Sequence, residues 1–85
     1  MMETEIGKVT HFYNHICVAV LQLKEALHVG DIIHILGHTT DFEQRVDSIE
    51  IEHHKVEIGI TGSEVALKVE QEVRAGDTIF RVAAG

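Results

Sequence analysis

Seven histidines in eighty-five residues is several times ordinary usage, and imidazole is both a metal ligand and a proton carrier near neutral pH. They are His11, His15, His28, His34, His38, His53 and His54. Two pairs, His11/His15 and His34/His38, have the i,i+4 spacing that makes a metal-binding face on a helix. On a strand rising ~3.3 Å per residue the same partners stand about 13 Å apart, far beyond the reach of one ion. His53 and His54 are adjacent and project to opposite faces of a strand unless they occupy a turn. His15 and Cys17 share a face, but two ligands are not a site. The spacing therefore predicts no metal site, no bound cofactor, and histidines scattered over the surface. Protonating all seven would bring the net charge from −7 to zero. With an ordinary pKa of ~6.5, that change predicts lower solubility and higher anion affinity as pH falls from about 7.5 to 5.5.

Nucleophilic chemistry has little to work with. Cys17 lies in the apolar run 16–23 (ICVAVLQL), where a thiol is expected to be buried and inert. Thr61-Gly62-Ser63-Glu64-Val65 lacks the second glycine of a nucleophile elbow. Glu50 and Glu52 share a strand face about 6.6 Å apart at Cα, a spacing open to acid/base work but common by chance on an acidic surface. No phosphate-cradling Gly-x-x-x-x-Gly-Lys-Ser/Thr occurs. For base stacking there are only Phe12, Tyr13, Phe42 and Phe80, and one of Phe12 and Tyr13 is expected to enter the core. The chain reads as a non-enzyme.

Composition narrows the partners. Seven Lys/Arg against fourteen Asp/Glu argue against a general polyanion grip, DNA included. Apolar residues at 45% and charged residues at 25% describe a globular chain with one modest core. No apolar run reaches the ~20 residues of a membrane span, and no signal-peptide core follows a basic start. A single cysteine cannot staple the fold, so a reducing cytoplasm is the expected setting.

The elements that would position these groups are strands. Segments 5–13, 16–23, 31–36, 43–52, 64–69 and 77–82 are short and rich in Val, Ile or Thr. In 64–69 the alternation is clean, with Val65, Leu67 and Val69 on one face. In 31–36, Ile33 and Ile35 share a face and Ile32, His34 and Leu36 share the other. In 43–52 the apolar spacing of Val46, Ile49 and Ile51 is three and then two, which predicts a bulge near Asp47–Ser48. Residues 18–28 contain good helix formers, but the Val-rich start favours a strand to Leu23 and a turn at Lys24–Leu27. Gly30-Asp31, Gly76-Asp77 and Gly62-Ser63 each lead into a strand, where glycine supplies positive φ in a tight turn.

In order along the chain, Leu27–Gly37, Arg45–Ile51, Gly59–Leu67 and Val73–Ile79 resemble domain 2 of the translational GTPases, the barrel of elongation factor Tu and its relatives. The pattern comprises a Gly-Asp turn, a Val-x-Ser-Ile-Glu strand, a Thr-Gly-x-x-Val turn and a final Gly-Asp turn, over residues 5–82. The resemblance implies a single domain, 1–85, with the fold class of an all-β, six-stranded closed antiparallel Greek-key barrel. It implies a stand-alone binding module without its GTPase domain, contacting tRNA, ribosomal RNA, the ribosome or a translation-associated protein. Glu50 stands where that family carries a glutamate near the terminal adenosine of tRNA, and His53 where a basic residue often follows. With His54 and Lys55 they form the expected contact surface, within the segment Glu43–Val69. The alternative is an accessory protein–protein interaction barrel with no RNA role, like those appended to collagenase-like peptidases. The −7 charge favours that alternative. Ile32, Leu36 and Phe42 are a candidate apolar strip for pairing subunits.

Overall fold

Every regular element among the described residues is a strand, as the Val- and Ile-rich segments require. The computed structural model describes residues 2–83. The strands are β1 (Met2–Tyr13), β2 (Val18–Gln22), β3 (Leu27–His28), β4 (Ile32–Leu36) and β5 (Asp41–Arg45). They are followed by β6 (Ile49–Ile51), β7 (His54–Val56), β8 (Ile58–Gly59), β9 (Glu64–Lys68) and β10 (Thr78–Ala83). Eight form one antiparallel ladder in the order β5-β4-β10-β1-β2-β9-β6-β7, and β3 pairs separately with β8.

The long β1 joins the two halves of this ladder. Its residues from Met2 to Lys8 pair with β10, and those from Val9 to Tyr13 pair with β2. Register shifts at Glu5/Gly7 and Val9/His11 mark where the strand bends. Gly7, at φ +156°, sits in the first; a Cβ there would stand 2.6 Å from the Gln22 carbonyl oxygen. Alternation carries the core: Ile6, Leu21, Ile33, Ile35, Ile49 and Ile79 are fully buried, with Val65, Leu67 and Val69 nearly so.

The three glycine turns are one device used three times. Gly30, Gly62 and Gly76 have φ of 98°, 91° and 96°. In each turn the residue after glycine donates its N–H to a carbonyl three residues back: Asp31 to His28, Ser63 to Ile60, Asp77 to Arg74. Each glycine also donates to a buried residue of a distant segment: Gly30 to Val46 (2.8 Å), Gly62 to Leu23 (2.7 Å), Gly76 to Val9 (2.7 Å). Those same residues return the bond, Val46 to Asp31, Leu23 to Ser63 and Val9 to Asp77, all at 2.8 Å. A tight turn is thereby fastened to a chain far off in sequence by two backbone bonds, which closes the corners of the fold.

Three expectations are corrected. The ladder does not close into a six-stranded barrel: it ends at β5 on one side and β7 on the other. The gap beside β5 is spanned by a side chain. Gln44 Nε2 donates to the Lys68 carbonyl (3.0 Å), and Gln44 Oε1 accepts the Glu70 N–H (2.8 Å), so one amide does the work of a strand pairing. Segment 43–52 is also not one bulged strand. It breaks between Arg45 and Ile49, because β5 pairs with β4 whereas β6 pairs with β7 and β9. Val46 is buried within the break, bonded to the Gly30 turn. Phe42 is buried as well, so Ile32 and Leu36 keep their exposure without it and the three-residue strip does not exist.

Candidate functional site

Four neighbouring strands, β1, β2, β9 and β6, carry an open groove of about 1070 Å³ on their outward side. Its floor is of small residues: Thr10, Val18, Val20, Ser63 and Ala66. At one end stand His11 and Tyr13, two residues apart on β1, with ring centroids 4.1 Å apart. Ile16 is exposed beside them, in the turn between β1 and β2, and its carbonyl accepts a 2.9 Å bond from Lys68 Nζ. Phe12 packs against the core and Tyr13 faces solvent, the division expected of that pair.

The β6–β7 hairpin walls the other side. Glu50 pairs with Lys55 and Ile51 with His54, leaving Glu52-His53 as a two-residue loop. Both loop residues have positive φ, 50° and 67°, the pattern of a type I′ hairpin turn. Such turns favour asparagine and glycine; for other residues the left-handed region costs about 1–2 kcal/mol each. Glu50, Glu52 and His53 line the groove. His54 and Lys55 are exposed on β7, at the edge of the ladder, and Lys55 borders a smaller depression with Val29, Asp47, Val56 and Glu57. The structure thus keeps the four expected contact residues on one hairpin but aims only Glu50 and His53 into the groove. His11, Tyr13 and Ile16 were not legible as partners of that hairpin, because 30 to 40 residues of chain intervene. Cys17 is only half-buried, in the 14–17 turn at φ 54°, with its Sγ 3.8 Å from the Asn14 carbonyl; it is no core thiol.

A second cluster gathers side chains of β1, β4 and β5. His34 Nε2 stands 2.6 Å from Asp41 Oδ1, and His34 Nδ1 stands 2.9 Å from Glu3 Oε1. The Asp41 carboxylate first, and that of Glu3 second, hold the imidazole's pKa above the usual histidine range, against the opposing effect of burial. Glu43, the cross-strand partner of His34, brings a third carboxylate to the same place. Lys24 Nζ, after β2, pairs with Glu5 of β1 at 2.6 Å and holds that carboxyl below its ordinary value.

This all-β module with its open groove has counterparts among known proteins. The chain is 42% identical over 77 residues to an uncharacterized protease of Methanocaldococcus jannaschii, a match covering 89% of this chain and 19% of the protease. It is 32% identical over 81 residues to a collagenase of Porphyromonas gingivalis, covering 93% of this chain and 22% of the collagenase. The chain therefore spans about a fifth of the length of the curated relatives it matches. Among solved structures, the C-terminal domain of a Geobacillus thermoleovorans protein described as a U32 peptidase superposes with a TM-score of 0.86. That match covers 95% of this chain and 93% of the other at 18% identity, and it shows the fold. No protein-family model matches the chain.

These findings overturn the resemblance to translational GTPase domain 2, and the translation role inferred from it falls with it. The reason lies in the motifs. The glycine turns that carried the resemblance are structural corners, so they report a way of folding rather than a family. The alternative, an accessory domain of the kind appended to collagenase-like peptidases, is the one the relatives support.

Proposed function

We propose that this chain is a non-enzymatic, protein-binding module that works beside a peptidase, in a reducing cytoplasmic setting, and that its groove is the contact face. The observation that carries this reading is the match of nearly the whole chain to one fifth of a protease and of collagenases. The groove supplies the surface. Its small-residue floor admits an extended segment, and Tyr13 and Ile16 stand 50% and 56% exposed at one end. Glu50 and His53 supply polar contacts from a hairpin whose loop is held in a strained left-handed turn. His54 and Lys55 extend the contact along the edge strand β7.

The test is affinity capture from native extract with the wild-type chain and two variants. Ala66→Arg fills the groove floor, and Ile60→Ser alters an exposed residue outside it. The expected result is a peptidase-like protein retained by wild type and Ile60→Ser and lost with Ala66→Arg. Labelled wild-type chain, titrated with that purified protein, should then shift the amide resonances of Tyr13, Glu50, His53 and Ala66. Recovery of nucleic acid instead of protein, or capture indifferent to Ala66→Arg, would overturn the reading.

A further inference from the structure

We propose that Glu3, His34 and Glu43 bind one divalent transition-metal ion, with Asp41 orienting the histidine from behind. The three residues come from β1, β4 and β5, and each offers one ligand atom within 4.8 Å of the others. An ion with ~2.1 Å bonds to nitrogen and oxygen holds its ligands about 3.0–3.5 Å apart, so modest rotation of the exposed carboxylates closes the set. The 2.9 Å separation of Glu3 Oε1 and His34 Nδ1 already lies near that spacing.

Asp41 makes this more than a cluster of surface acids. Its carboxylate, 2.6 Å from Nε2, takes the imidazole's Nε2–H and leaves Nδ1 facing Glu3. That is the carboxylate–histidine–metal arrangement, in which an outer carboxylate fixes the tautomer and raises the ring's basicity as a ligand. The imidazole side chain is 17% exposed, and the Phe80 ring lies 6.2 Å away between centroids, with Ile32 and Leu36 on the same face of β4. This apolar border flanks one side of the imidazole and leaves the carboxylate side open to solvent. On binding, the metal–Nδ1 bond forms as any Nδ1–H bond breaks, and that proton passes to solvent. The donor set of one nitrogen and two carboxylate oxygens suits zinc, manganese or iron(II), with water completing the shell. Local spacing predicted no metal site because His34 and His38 cannot chelate together; this site instead gathers ligands 31 and 9 positions away from His34. Its role is a cross-strand tie, joining the start of β1 to the edge strand β5.

The test is calorimetric titration of the full chain with zinc chloride, after EDTA treatment and desalting into a non-chelating buffer. One equivalent should bind saturably, and the melting temperature should rise with zinc concentration. His34→Ala should abolish this binding. Glu43→Gln, at an exposed residue, should weaken it 10- to 100-fold without unfolding the chain, and Asp41→Asn should do likewise. The other six histidines are exposed and are the source of adventitious binding. Absence of a saturable one-to-one event, or zinc binding left unchanged by both His34→Ala and Glu43→Gln, would overturn the proposal.

Discussion

Asp77 Oδ2 accepts the backbone N–H of Arg74 at 2.9 Å, from a side chain only 5% exposed. Asp31 Oδ2 makes the same bond to the His28 N–H, also at 2.9 Å, in a more open turn. Each carboxylate caps a glycine turn whose other backbone groups are fastened to β1 or to the Val46 segment.

The difference in burial ranks the two. Asp77→Ala removes a buried carboxylate from a part-buried bond and should cost about 2 kcal/mol, whereas Asp31→Ala should cost about 1 kcal/mol because water more readily replaces the lost acceptor. Asp77→Asn keeps an acceptor oxygen and should fall between them. Urea unfolding of the three variants checks the order. Equal losses for Asp77→Ala and Asp31→Ala would contradict it.

The third turn lacks its carboxylate, since Ser63 occupies the corresponding place, with its N–H donating to the Ile60 carbonyl. Ser63→Asp should supply the missing acceptor to the Ile60 N–H. The expected gain is about 0.5–1 kcal/mol, a rise in melting temperature of roughly 2–8 °C for a domain this size. A lowered melting temperature would show that the added charge beside Glu64 outweighs the bond.

Gln44 spans the gap between β5 and the chain at 68–70 with both ends of one amide. Gln44→Leu preserves much of the volume but orphans the Lys68 carbonyl and the Glu70 N–H. The expected loss is about 2–4 kcal/mol, because two backbone groups lose partners together. Hydrogen exchange should accelerate first at Glu70 and in β5. If only global exchange changes, the amide is not a local tie.

In metal-free protein, His34 gives the stability a pH dependence of known sign. Its folded pKa is raised by Asp41 and Glu3, so the folded chain holds a proton there more tightly than the unfolded chain does. The contribution is fully present below the unfolded value of ~6.5 and is lost as pH rises through the folded pKa. The urea midpoint of wild type relative to His34→Gln should therefore decline from pH 6 toward alkaline pH. By NMR, His34 should titrate above the ordinary histidine value. An identical midpoint difference at both ends of that range would contradict the ion-pair geometry.

Much of this architecture was legible in the residues alone. Val65, Leu67 and Val69 alternate because one face of β9 meets the core, and all three are buried. Gly30, Gly62 and Gly76 announced positive φ because no other residue enters it cheaply, and each has it. Local conformation and the sidedness of a strand depend on neighbours within a few positions, which a linear chain displays directly. Pairing does not. That β5 and β6 join different strands, that Gln44 replaces a ladder, and that Glu3, His34, Asp41 and Glu43 converge were decided only when distant segments met. The same holds for Tyr13 and Ile16 facing the Glu52-His53 turn across one groove, since backbone hydrogen bonds between remote strands, and no local preference, set which side chains become neighbours.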